Sequence, residues 1–278
     1  MNRHSRTDIH IQNGRFTRGF IMSNTKNLKI GILGAGNIGK TLACKLAQAG
    51  HDVKVANSRG PETIPADALE FGARAVTAAE AVQDVEVVIL SINPASYSQV
   101  APLIQGLPEE TVVMDTSNYH PVRDNRIKAI DAGQVESLWV VEQLGRPIVK
   151  AWNTVVSNSF ARKGATKGSP DRVALPVAAD RDKDREVGLA LVEDTGFDAF
   201  DAGTLENSWR MQPGSPVYCT DLTLKELPGA LDSAERERLP KRRDLTWAVM
   251  LERFVDISNL DPDKDAEYFL RLSRALQM

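Results

Sequence analysis

A glycine-rich hexapeptide near the start of the chain has the spacing of a phosphate-binding turn. It follows G-x-G-x-x-G, directly after a short apolar run and directly before a stretch with apolar residues at helical spacing. In such a turn Gly34 permits a tight bend, Gly36 lets backbone approach a pyrophosphate, and Gly39 lets helix and strand pack closely. Free N–H groups at the helix N terminus then attract the phosphates. We therefore predict that a dinucleotide binds Gly34, Ala35, Gly36, Asn37, Ile38 and Gly39.

The end of the second predicted strand favours NADP(H) over NAD(H). Proteins that take NAD usually have an acidic residue there, whose carboxylate binds the ribose 2′-hydroxyl. This strand ends instead in Asn57, Ser58 and Arg59. We predict that Asn57 binds the ribose, and that Ser58 and the guanidinium of Arg59 bind a 2′-phosphate. An arginine in a solvated loop with no ligand is the alternative interpretation.

Small polar and apolar residues follow three further predicted strands, at the edge of the sheet where this class of fold binds ligands. We predict that they hold the nicotinamide end of the cofactor, and they are Ser91, Ile92, Asn93, Thr116, Asn118, Ala151 and Asn153. The side chain of Trp152 either lines this site or belongs to the hydrophobic core. His120 is the single histidine near the site, and it is either a general acid for carbonyl or imine reduction or a neutral structural residue.

Alternation of strands and helices predicts an α/β fold with a doubly wound, mostly parallel sheet of the Rossmann type. Strands are predicted at 28–33, 52–56, 75–76, 86–90, 112–114, 148–151, 172–178 and 197–201, and helices at 37–49, 61–71, 78–82, 136–144 and 182–194. We assign residues 28–205 to this NADP-binding domain. Residues 206–278 are predicted to form a loop and an appended helical C-terminal portion. Residues 1–27 lack apolar periodicity, which predicts a disordered N-terminal extension.

Composition excludes several classes of partner. The formal net charge of −3 gives no reason to expect nucleic acid, and no apolar run approaches the roughly 20 residues that span a membrane. Cys44 and Cys219 lie far apart, which predicts free thiols in a reducing, cytoplasmic compartment and no metal site. Apolar positions in the C-terminal helices predict either a substrate cover or the interface of a homodimer.

Several of these segments together resemble the coenzyme F420-dependent NADP oxidoreductase family. They are residues 29–39, 57–60, 115–118, 149–154 and 196–203, and the similarity runs from about Leu28 to about Leu205. The family tends to have phenylalanine where this chain has Trp152, and this chain is longer after Leu205. The resemblance implies an NADP(H)-binding fold in which a planar second substrate stacks on the nicotinamide. Hydride would then pass directly between two rings, without a protein acid or base.

Three interpretations of function follow. The first is an NADPH-dependent oxidoreductase with a planar acceptor such as coenzyme F420 or a flavin. The second is a small-carbonyl or imine reductase similar to β-hydroxyacid dehydrogenases, although only residues 206–278 remain for the long helical domain of those enzymes. The third is a redox sensor that binds NADP(H) without turning it over.

Overall fold

A computed structural model describes residues 27–254 and 264–278 of the chain. The predicted extension, residues 1–27, thus lies outside the described residues except for Asn27. The described part contains one eight-stranded sheet of order β3-β2-β1-β4-β5-β6-β7-β8. Its strands are β1 (Lys29–Leu33), β2 (Asp52–Ala56), β3 (Arg74–Ala75), β4 (Val87–Leu90), β5 (Val112–Asp115), β6 (Val149–Lys150), β7 (Ala174–Ala179) and β8 (Asp198–Asp201).

Helices connect the strands and form the C-terminal portion. They are α1 (Asn37–Gln48), α2 (Ala78–Ala81), α3 (Tyr97–Gln105), α4 (Pro121–Asp124), α5 (Lys128–Asp131), α6 (Glu136–Leu144), α7 (Ser157–Arg162), α8 (Asp182–Asp194), α9 (Leu227–Asp232), α10 (Leu239–Phe254) and α11 (Lys264–Gln277). Short 3₁₀ helices span Pro61–Thr63, Ala66–Ala68, Pro94–Ser96, Leu205–Met211 and Arg236–Arg238. None of the helices described is both long and apolar enough to cross a membrane.

The first six strands are parallel, and the sheet reverses direction once. β7 is antiparallel to β6, and β8 is parallel to β7. The strand order also reverses between β1 and β4, where the chain crosses from one half of the sheet to the other. This architecture confirms the predicted doubly wound, mostly parallel Rossmann sheet with a helical C-terminal portion. In such sheets the crevice at the reversal of strand order is where ligands bind.

The sheet lies between two apolar layers. One layer packs Leu42 and Leu46 of α1 and Leu191 of α8 against one face. The other packs Ile104 of α3 and Val140 of α6 against the opposite face. The central strands are buried on both faces, as their continuous apolar sequences indicate.

The structure corrects one predicted helix. Residues 61–71 do not form an α-helix but two short 3₁₀ turns. Pro65 is the physical reason, because a proline pushes the preceding residue out of the helical region of backbone space. Ile64 accordingly has an extended backbone, with φ −71° and ψ 127°. Both cysteines are free thiols, as predicted.

Candidate functional site

The turn from β1 to α1 contains two glycines that no larger residue can replace without a steric clash. Gly34 has φ +107°, and a Cβ on it would lie 2.0 Å from the carbonyl oxygen of Ser91. A Cβ on Gly39 would lie 1.8 Å from the carbonyl oxygen of Gly34. A Cβ on Gly36, in contrast, would meet nothing within 4 Å. Two glycines therefore close the turn, while the third faces open space, as a phosphate cradle requires.

The N terminus of α1 points into the same open space. Gly36 is its N-cap residue, no side chain caps it, and its first turn contains no acidic residue. The first N–H groups of an α-helix have no partner within the helix. They carry the positive end of the helix dipole, which favours an anion at this position. The geometry thus fits the predicted pyrophosphate contact at residues 34–39.

The tip of β2 is a tight turn organised by a side chain. Asn57 Oδ1 accepts a hydrogen bond from the backbone N–H of Arg59 at 2.9 Å, and its Nδ2 donates to Thr63 Oγ1 at 2.8 Å. The side chains of Ser58 and Arg59 are exposed. Within the two described ranges, Arg59 forms no ion pair. Asn57 therefore holds the turn, and it leaves the hydroxyl and the guanidinium free at its surface.

Glu62 is an acidic residue near this turn that sequence reasoning missed. Its Oε1 atom lies 2.5 Å from the position that a Cβ on Gly60 would take. Gly60 has φ +103°, which is a backbone conformation that glycine tolerates best. The signal was visible in the sequence, since Glu62 follows Pro61 directly. Its carboxylate places a negative charge two residues beyond the glycine that ends the Asn57-Ser58-Arg59 turn.

Three predicted segments meet at one edge of the sheet. Leu33 at the end of β1 pairs with Ala56 in β2 and with Leu90 in β4. The glycine turn, the Asn57 turn and the loop after β4 therefore start from the same level of the sheet. In that last loop Asn93 is exposed, whereas Ser91 and Ile92 are half-buried. Residues 34–39, 57–59 and 91–93 thus form a continuous candidate site.

The residues predicted to hold the nicotinamide end lie deeper than expected. Thr116 is buried, and its hydroxyl donates to the carbonyl of Leu90 at 3.3 Å. Asn118 Nδ2 donates to the carbonyl of Asn153 at 2.8 Å. Asn153 Nδ2 donates back to Asn118 Oδ1 at 3.1 Å and also to the carbonyl of Met211 at 2.9 Å. These amides join the loops after β5 and β6 to each other and to the C-terminal portion.

Ala151 and Trp152 belong to the core. Ala151 is fully buried in the layer that contains α1 and α8, so the prediction that it contacts the cofactor is corrected. Trp152 has φ +55° and is 1% exposed, and its Nε1 donates to Thr195 Oγ1 at 3.2 Å. Of its two predicted roles, the structure therefore favours the core. Trp152 thereby removes a large aromatic surface from water.

His120 has a geometry that favours the structural role over general acid catalysis. Its Nδ1 accepts a hydrogen bond from Trp247 Nε1 at 2.8 Å, and its Nε2 lies 3.2 Å from the hydroxyl of Tyr218. Indole N–H groups only donate, so the neutral ring carries its proton on Nε2. Burial, reinforced by the charges of Arg123 and Arg243, lowers the pKa of His120 to about 3. The ring is therefore neutral near pH 7.

A buried polar cluster below the loop after β5 was not foreseen. Lys150 Nζ donates to Asp115 Oδ2 at 2.6 Å and also to the carbonyl of Ser117. Asp115 further accepts hydrogen bonds from the hydroxyl of Tyr97 and from Ser117. Nearby, Glu136 accepts from the backbone N–H of Tyr119 at 3.1 Å. Burial raises the pKa of Glu136 to about 7, against the opposing influence of the Lys150 charge.

The C-terminal portion packs over this part of the ligand edge. The N–H of Cys219 donates to the carbonyl of Thr154 at 2.7 Å, four residues after the end of β6. Arg274 of α11 donates from Nε to the carbonyl of Thr220 at 2.7 Å. Val156, Tyr218 and Cys219 form a small apolar cluster with residues of α11. The end of the site beyond β5 is therefore enclosed, and the end at β1, β2 and β4 is open.

Residues 29–119 match the family model described as NADP oxidoreductase, coenzyme F420-dependent. The predicted family resemblance is confirmed for this segment. It contains the glycine turn, the Asn57 turn and the loops after β4 and β5. The segment is thus similar to that family of oxidoreductases, on the fold that the sequence predicts.

Two solved structures and one curated protein are similar to this chain. A hypothetical protein of Sinorhizobium meliloti, SMa0349, is 28% identical with a TM-score of 0.59, over 70% of this chain and 95% of that one. A candidate F420-dependent NADP reductase of Arthrobacter sp. FB24 is 18% identical with a TM-score of 0.51, over 80% of this chain and 95% of that one. At this identity the similarity supports the fold alone. YjhV of Escherichia coli (strain K12) is 41% identical over 78 residues, which cover 27% of this chain and 57% of that protein.

Proposed function

We propose that this chain is an NADPH-dependent oxidoreductase that transfers a hydride between NADP(H) and a planar acceptor such as coenzyme F420 or a flavin. One observation carries the proposal. The open space at Gly36 and the uncapped N terminus of α1 share an edge with the exposed, unpaired guanidinium of Arg59. A pyrophosphate and a 2′-phosphate would both meet positive potential there.

The chain's own residues would then bind and orient the cofactor. Backbone N–H groups of residues 37–39 would bind the pyrophosphate, and Ser58 and Arg59 the 2′-phosphate. Ser91 and Asn93 would face the nicotinamide ribose from the loop after β4. When bound, the nicotinamide ring supplies or accepts the hydride. The deeper polar groups, Asn118 and Asn153, would act by fixing the loops that enclose the ring.

The state of His120 supports a planar acceptor over a small carbonyl or imine. Reduction of a carbonyl or an imine benefits from a group that donates a proton with a pKa near the working pH. His120 is the one histidine in the predicted site, and its neutral ring has both nitrogens engaged by Trp247 and Tyr218. Direct transfer between two rings needs no such acid. Homodimer formation and a cytoplasmic location stay predictions from the sequence.

An acceptor panel tests the proposal. NADPH oxidation is measured with coenzyme F420, FMN, FAD, a ferric chelate, an aldehyde and a cyclic imine. We expect turnover with F420 or a flavin, and we expect it to persist in His120→Asn, which keeps an acceptor for Trp247. Turnover with the aldehyde or the imine alone, lost in His120→Asn, would support a small-carbonyl or imine reductase instead. Tight NADPH binding with no turnover under any acceptor would support a sensor.

A further inference from the structure

The carboxylate of Glu62 folds back over the turn at the tip of β2. Its two oxygens lie 2.5 and 2.6 Å from the position that a Cβ on Gly60 would take. The absence of a side chain at Gly60 leaves room for this arrangement, and the φ of +103° there also suits glycine. The negative charge of Glu62 therefore lies against the backbone of the residue that follows Arg59.

The backbone that presents this carboxylate is held from both sides. Pro61 begins the 3₁₀ helix, and its ring restricts φ at that position. Thr63 closes the turn, because its backbone N–H and its hydroxyl both donate to the carbonyl of Gly60, at 3.1 and 2.9 Å. The same hydroxyl accepts a hydrogen bond from Nδ2 of Asn57 at 2.8 Å. These bonds tie the acidic segment to the residue that is predicted to bind the ribose.

Arg59 and Glu62 carry opposite charges at this turn, and neither charge is neutralised. Both side chains are exposed. In residues 27–254 and 264–278 neither side chain forms an ion pair or a hydrogen bond, with the other or with any third residue. A guanidinium and a carboxylate that share one turn without pairing are both available to a ligand.

The two charges have opposite preferences for the group at the ribose 2′ position. A guanidinium attracts a 2′-phosphate through charge-assisted hydrogen bonds. A carboxylate at this end of the second strand accepts a hydrogen bond from a 2′-hydroxyl, as the acidic residue of NAD-binding proteins does. The same carboxylate repels a 2′-phosphate, because both groups are negatively charged. The turn thus contains one residue that favours each form of the cofactor.

We propose that Glu62 is a specificity-determining residue of the dinucleotide site, whose carboxylate binds the ribose 2′-hydroxyl of NAD(H) and repels the 2′-phosphate of NADP(H). This role rests on the proposed dinucleotide site, but it does not depend on the identity of the hydride acceptor. Arg59 favours NADP(H), and Glu62 limits that preference. Replacing Glu62 by glutamine should therefore widen the preference for NADP(H).

Calorimetric titration of the full chain with NADPH and NADH tests this role. Adenosine 2′,5′-bisphosphate and ADP serve as probes of the adenosine half alone. In Glu62→Gln we expect NADPH and the bisphosphate to bind about threefold or more tightly, because a repulsive charge is lost. NADH and ADP should bind about threefold or more weakly, because a neutral amide oxygen is a poorer acceptor for the ribose hydroxyl than a carboxylate.

Glu70→Gln is the matched control, since it removes the same charge from the same connection between β2 and β3. Glu70 is exposed as well, but it lies near Cys44, about two turns from the N terminus of α1. The affinities for all four ligands should be unchanged in this variant. Circular dichroism checks that both variants are folded, as we expect for two exposed positions.

A third variant separates a direct effect of Glu62 from an effect through Arg59. The gain in NADPH affinity from Glu62→Gln should persist in an Arg59→Gln background, because the carboxylate itself repels the phosphate. Loss of the gain in that background would overturn the proposal, and so would equal effects of Glu62→Gln and Glu70→Gln. A wild-type chain that binds none of the four ligands would overturn the dinucleotide site as well. Wild-type binding of NADPH that Glu62→Gln leaves unchanged would overturn the role of Glu62 alone.

Discussion

Lys150 in β6 donates a hydrogen bond to Asp115 in the neighbouring strand β5, with 2.6 Å between Nζ and Oδ2. Neither side chain has more than 1% of its surface exposed. Both residues are the last of their strands, and they are direct partners in the parallel ladder. A buried ion pair is favourable only when further hydrogen bonds satisfy its remaining groups. Tyr97 and Ser117 supply those bonds, and the pair consequently fixes the start of the loop that follows β5.

Replacing Lys150 by methionine should strongly destabilise the protein. The change leaves the carboxylate of Asp115 buried without its counter-ion, which typically costs about 3–5 kcal/mol. Urea unfolding measures the free energy of unfolding. Lys40→Met is the control, since Lys40 and Asp67 form an exposed pair at 2.8 Å, for which we expect a loss below about 1 kcal/mol. Similar small losses in both variants would show that the buried pair does not have the role described above.

Two glycines of the phosphate turn should respond to valine in opposite ways. Gly36→Val should leave the free energy of unfolding nearly unchanged, because its backbone is extended and a Cβ meets nothing within 4 Å. It should nevertheless abolish dinucleotide binding by filling the cradle. Gly39→Val should destabilise by about 1–3 kcal/mol or more, since its Cβ would strike the carbonyl oxygen of Gly34.

Urea unfolding and calorimetry with NADPH separate these two effects. The matched pair differs by three positions in one turn, so bulk and hydrophobicity are the same in both variants. Full NADPH affinity in a folded Gly36→Val protein would contradict the assignment of the cradle.

Stability should depend on pH through two buried groups of opposite sign. The pKa of His120 is lowered from 6.5 to about 3 in the folded protein. Between these two values the unfolded chain binds a proton at His120 and the folded protein does not. The free energy of unfolding therefore decreases as the pH falls below 6.5. Glu136 has a pKa raised from 4.5 to about 7, so the folded protein holds a proton that the unfolded chain releases, and stability is lost as the pH rises above 4.5. For each of the two groups, the free energy of unfolding changes by at most about 1.4 kcal/mol per pH unit.

Single variants of His120 and Glu136 should therefore separate their two contributions to the pH dependence of stability. Relative to wild type, the stability deficit of His120→Asn should grow as the pH rises from 4.5 to 6.5, and that of Glu136→Gln should shrink over the same range. Urea unfolding at a series of pH values measures both. Two deficits that are independent of pH would mean that neither group titrates as described.

Features that depend on short stretches of chain were predictable from the sequence. The glycine turn, the strands around it and α1 follow from spacing and periodicity within 28 residues, from Lys29 to Ala56. The hydrogen bonds of Asn153 were not predictable, because its Nδ2 donates to the backbone carbonyl of Met211, which is 58 residues away along the chain. The state of His120 depends on Trp247, which is 127 residues away. No local pattern reports such contacts.

The pair of Lys150 and Asp115 is an intermediate case. An aspartate directly after one predicted strand, 112–114, and a lysine near the end of the next, 148–151, were both visible in the sequence. Aligning the ends of neighbouring parallel strands would have brought them together. The burial of Ala151 was harder to foresee, because it depends on residues of α1 and α8 that pack in the same apolar cluster and are distant along the chain.

The central claim is that Arg59 and the glycine turn select NADP(H), and calorimetric titration with NADPH and NADH tests it most directly. Arg74→Gln is the control for Arg59→Gln, since Arg74 pairs with Asp52 at the opposite end of β2 and the change in charge is the same. We predict that wild type binds NADPH more tightly than NADH. Arg59→Gln should weaken NADPH binding by about tenfold or more, with little effect on NADH. Tighter binding of NADH by wild type, or equal effects of the two substitutions, would contradict the account.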